Sequence, residues 1–132
     1  MNPIEIKLML KAAKSGDTAN VCRLLAHDQS LLLARDKDGS TPLHCAAWKG
    51  NVDVVRILLD AGAPINDHNQ NSHWGTTPLH AAAHGNQRAG AELLLARGGD
   101  VKAKNLNGRT PLEETSVHNA TAVARLFAKP AS

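Results

Sequence analysis

Aromatic side chains are almost missing: of 132 residues one is Phe, two are Trp and none is Tyr. The core therefore cannot be assembled around large rings and must be laid down in thin layers of Leu, Ala, Val and Ile, which suits stacked helices better than a sandwich or barrel. Apolar runs are short, and none approaches the ~18 residues that cross a bilayer. The N-terminal stretch Met1-Asn2-Pro3-Ile4-Glu5-Ile6-Lys7 lacks the charged-then-apolar order of a signal peptide, so a soluble cytoplasmic monomer is expected, with export into another cell left open. Cysteine is limited to Cys22 and Cys45, in separate predicted units, where reduced thiols are expected rather than a bridge. Charge of one sign is also lacking: fifteen Lys and Arg stand against twelve Asp and Glu, scattered without a basic run.

What is present is self-similarity. Thr41-Pro42-Leu43-His44 recurs as Thr77-Pro78-Leu79-His80, and Thr110-Pro111-Leu112 follows with Glu113 in the place of His. Thr41 can cap a helix whose first turn accepts Pro42, since the missing N–H costs nothing there. Leu43, Ala46 and Ala47 share one side of that helix. Gly50 ends it, Asn51 is placed to cap the next, and Val54, Val55, Ile57, Leu58 and Leu59 form an apolar stripe until Gly62 stops the chain in a left-handed turn. The outcome is two short antiparallel helices that cannot bury their faces alone, so the units must stack.

A unit of this length carrying Thr-Pro-Leu-His-x-Ala, with Leu-Leu followed by Gly, resembles the ankyrin repeat. The resemblance implies an all-α solenoid of stacked antiparallel helix pairs with β-hairpin-like loops, one domain over residues 1–132. Its expected units are a degenerate N-terminal cap at about 2–35, then 36–67, 68–104 with a three-residue loop insertion, and a C-terminal cap at about 105–128. In the third unit the inter-helix glycine stands one place early, at Gly85, and Gly90 falls inside the second helix, so that unit is expected to be the softest. Thr115-Ser116 replaces the paired alanines in the fourth, as outward-facing polar groups would in a cap.

The resemblance also implies a non-enzymatic module that binds a partner protein through the concave face made by hairpin tips and first helices. Transferred residue by residue, that face holds Lys14 and Ser15 from the first unit and Lys37, Asp38, Ser40, Trp48 and Lys49 from the second. The third gives His73, Trp74, Thr76 and His84, and the fourth Leu106, Asn107, Arg109, Val117 and His118. Trp is the residue most enriched at binding hot spots. Trp48 is expected to face the partner, while Trp74 either does so or folds back over Pro78 or Trp48.

Seven histidines raise the question of a metal, and His80 with His84 has the i, i+4 spacing that can chelate on a helix. His80 and His44, however, belong to the Thr-Pro-Leu-His turn, where the ring bonds to Thr and nearby backbone, so no metal or cofactor is expected. No Ser, Cys or Lys nucleophile has a base at a readable spacing and no Gly-rich phosphate loop occurs, so no catalysis is expected. Glu113-Glu114 reads as solvated or capping, and Cys45 as a partly packed, inert thiol. The competing function is nucleic-acid or polyanion binding through Lys7, Lys11, Lys14, Lys37, Lys49 and Arg109, disfavoured because these residues are dispersed along the chain.

Overall fold

A computed structural model describes residues 1–70 and 75–117. Helix α1, Pro3–Ser15, begins where Asn2 accepts from the Ile4 N–H at 2.8 Å with Pro3 in the first turn. Helix α2, Thr18–His27, is capped by the Asp17 carboxylate. A 3-10 turn, Gln29–Leu33, follows; it buries Leu31 and Leu32 but leaves Leu33 exposed. Helices α3, Pro42–Lys49, and α4, Val52–Asp60, form the next pair, then α5, Pro78–His84, with α6, Arg88–Ala96, followed by α7, Pro111–Val117. Among the described residues no strand occurs, and no helix is long and apolar enough to cross a membrane.

The pairs stack in two rows. Helices α1, α3, α5 and α7 touch in succession along one side, and α2, α4 and α6 along the other. Small side chains let the first row close up: Ala12, Ala13, Ala46, Ala47, Ala82 and Ala83 are all buried. Between pairs the chain folds into hairpin-like tips, closed by the Asp36 N–H to Ser40 carbonyl bond at 3.0 Å, its Asn69–Thr76 counterpart at 2.7 Å and the Asn105–Arg109 one at 2.9 Å. Gly39 is required twice at the first tip. Its φ is +75°, and a Cβ would stand 2.6 Å from the Gln70 nitrogen, whose N–H donates to the Gly39 carbonyl and links the tips.

The structure departs from the sequence expectation at Asn51, at the turn after α5 and at Thr115. Asn51 occupies the cap position of α4 but makes no cap bond; its amide donates instead to the Ala13 and Lys14 carbonyls at 2.7 and 2.9 Å, satisfying the C-terminus of α1. Gln87 repeats the device, donating to the Trp48 carbonyl at 3.2 Å. The turn after α5 has not moved: Asn86 takes the left-handed conformation at φ +53°, in register with Gly50, because Asn tolerates that region. Gly85 has φ −82° and serves close approach, since a Cβ there would lie 2.3 Å from the Trp48 carbonyl oxygen. Thr115 is buried rather than turned outward, its hydroxyl donating to the Leu112 carbonyl one turn earlier.

Candidate protein-binding groove

The tips and the α1–α3–α5–α7 row enclose an open groove of about 550 Å3. His44 and His80 lie at its base. The Thr41 N–H donates to Nδ1 of His44 at 3.2 Å while Nε2 meets the Thr76 carbonyl at 2.8 Å. A carbonyl only accepts, so the proton sits on Nε2 and Nδ1 is the acceptor. His80 does the same with Thr77 and the Arg109 carbonyl, also at 2.8 Å. Burial disfavours the charged ring and lowers the His44 pKa from 6.5 to about 4; His80 is lowered for the same reason. Each ring caps its own helix and fastens the following tip.

Three acids and amides at matching places pin those tips. The Asp36 carboxylate accepts from the Asp38 and Ser40 N–H groups. Asn69 accepts from the Thr76 N–H and donates to the Ser40 hydroxyl. Asn105 accepts from the Asn107 and Arg109 N–H groups and donates at 2.6 Å to Glu114. Glu114 is therefore a buried groove wall, neither solvated nor capping as expected of the pair, whereas Glu113 does cap, accepting from the Thr110 N–H at 3.2 Å. The sequence signal for these residues was legible: Asp36 and Asn105 stand five positions ahead of their Thr-Pro-Leu, and Asn69 eight, the excess being the insertion.

At the lip stands Trp48, 44% exposed, its ring edge-on to His84 with centroids 6.5 Å apart and planes at 66°. The Lys49 ammonium lies 4.7 Å from the same ring, within cation–π range. Of the residues expected on the binding face, Lys14, Asp38, Ser40, Trp48, Thr76, His84, Asn107 and Arg109 line this groove. Lys37 and Lys49 line a neighbouring hollow, which Lys14 and Ser15 also border. Leu106 is exposed on the last tip, over Gly75. His73, Trp74 and His118, with the Val117 side chain, lie outside the described residues, as does most of the insertion.

Both nitrogens of His80 are engaged, so the His80–His84 spacing makes no chelate, and among the described residues no group of three His, Cys, Asp or Glu is placed to hold a metal. Cys45 is buried, more fully than expected, and burial with the adjacent Asp36 carboxylate pushes its thiol up to about 11, which withholds the thiolate.

Two family models, described as ankyrin repeats in three copies and in many copies, match residues 4–69 and 66–114. The chain belongs to the ankyrin repeat family. As an ankyrin repeat chain it is 35% identical over 118 residues to inversin of Gallus gallus, covering 89% of this chain and 10% of inversin. It is 41% identical over 92 residues to the serine/threonine-protein kinase VIK of Arabidopsis thaliana, 70% of this chain and 20% of that one. With ankyrin repeat domain-containing protein 49 of Bos taurus it shares 44% identity over 59 residues, 45% of this chain and 25% of the relative. The chain thus spans a quarter or less of the length of these relatives. Ankyrin repeats generally mediate protein–protein interaction.

Proposed function

We propose that the chain is a non-catalytic binding module whose groove receives a segment of a partner protein, with Trp48 as the anchor. The carrying observation is the half-exposed indole at the groove lip, framed by His84 and Lys49, in a chain with only two Trp. An aromatic left in water beside an open groove gains most when a partner covers it. The groove supplies polar directors around it: Asp38, Ser40, Asn107 and Arg109 on the tips, which orient a bound chain without chemistry. The same geometry favours a fixed receptor, because Thr76 and Arg109 are held by the histidines of α3 and α5 and Gly39 by Gln70, through hydrogen bonds that a partner does not need to make.

The test is to select binding peptides on the immobilised wild-type chain and measure their affinity for Trp48→Ala. Truncation is expected to weaken binding by at least ~30-fold, the 2 kcal/mol of a hot spot, with the thermal midpoint nearly unmoved. Unchanged affinity with a lowered midpoint would show that the ring is structural.

A further inference from the structure

The lysines dispersed along the sequence converge in space. Lys7, Lys11 and Lys14 follow one another down one side of α1 at helical spacing, Lys37 comes from the first tip and Lys49 from the end of α3. All five are exposed and line one hollow of about 770 Å3. Its apolar component is the half-buried Ile6 and the buried Leu10. Arg35 also borders it but is already paired with Asp67 at 2.6 Å. The carboxylates present are Asp36 and Asp38, and the Lys14–Asp36 contact is long, at 3.9 Å. Five lysines against two aspartates leave +3 at this spot, as much as the entire chain carries.

Lys14, Asp36 and Asp38 line both this hollow and the groove, so the two are continuous. The open path from Trp48 therefore passes Lys14 and reaches the lysine side of α1. We infer that this end of the binding face docks an acidic segment of the partner protein, its carboxylates among the five lysines and an apolar side chain against Ile6 and Leu10. The inference rests on the groove reading above and adds the chemistry of the partner. A duplex is the poorer occupant: its charge is uniform along the backbone, which has no use for an apolar floor and is repelled by Asp36 and Asp38 where the hollow meets the groove. A peptide can alternate charge with apolar groups and leave that junction neutral.

The probe is a fluorescent peptide alternating Glu and Leu, titrated by anisotropy against the full chain at about 0.15 M salt, where exposed charges beyond ~8 Å are screened. Lys7→Glu/Lys11→Glu/Lys37→Glu is expected to weaken binding roughly ten-fold or more through like-charge opposition. Arg23→Glu/Arg56→Glu/Arg88→Glu, the same change of net charge on the outer helices, is expected to leave it within about two-fold. Circular dichroism checks each fold, and the glutamine triple at the same three positions replaces any variant that unfolds. The inference is overturned by no binding to wild type, by equal loss in both triples, or by a DNA duplex or phosphatidylserine vesicles displacing the peptide more strongly than unlabelled peptide does. The selected peptides separate the two readings. Loss with Trp48→Ala alone keeps the groove and sinks the acidic segment, and loss with the lysine triple alone does the reverse.

Discussion

His44 holds two elements with one uncharged ring, accepting from the Thr41 N–H and donating to the Thr76 carbonyl, and burial keeps its pKa near 4 rather than 6.5. Between those values the unfolded chain takes up a proton that the folded chain refuses. Stability is therefore complete above about pH 6.5 and falls as the pH drops toward 4, by up to ~1.4 kcal/mol per pH unit for this group. His80 adds in the same direction. The urea midpoint is expected to fall between pH 7 and pH 5, above the range where most carboxylates titrate, and His44→Gln should flatten that fall. A wild-type midpoint equal at both pH values would refute it. Glu113 marks the limit of this device: a carboxylate accepts and so completes the cap at Thr110, but it has no proton to donate to a following tip.

At the scale of the element, what the sequence discloses is what each helix decides for itself. Thr41, Thr77 and the prolines behind them set the helix starts, and Gly16, Gly50 and Gly62 the stops, because caps and left-handed turns depend on a few adjacent residues. What a neighbouring layer decides was hidden. Asn51 caps a different helix from the one it begins, and Gly85 is small because the Trp48 carbonyl is there. Glu114 is buried because Asn105 reaches it, and the five lysines meet only once α1 lies against α3. Gly90 separates the two kinds of cause. It sits buried in α6, where a Cβ would meet nothing nearer than 4.0 Å, so the position pays helix entropy without a packing reason. Gly90→Ala is expected to raise stability by about 0.5–1 kcal/mol, read as a higher urea midpoint, whereas Gly85→Ala should lower it. A lower midpoint for Gly90→Ala would mean that α6 is not limited by its own propensity.

Across the whole molecule, buried apolar residues from Met9 on α1 to Leu94 on α6 form one continuous cluster. Among the described residues no pair has a private core, so each layer's stability is lent by the layers beside it, and short range in sequence becomes cooperativity in space. Helix α4 lies between α2 and α6 and touches both, and its Leu58 is wholly buried. Leu58→Ala opens a cavity between three layers and is expected to cost about 2–5 kcal/mol. Because the cluster is shared, far-UV circular dichroism, which sees every helix, and tryptophan fluorescence, which includes Trp48 on α3, should shift together to lower urea and still coincide. Separation of the two transitions in the variant would show that the outer layers stand without the middle one, and that inter-layer contact is not what stabilises them.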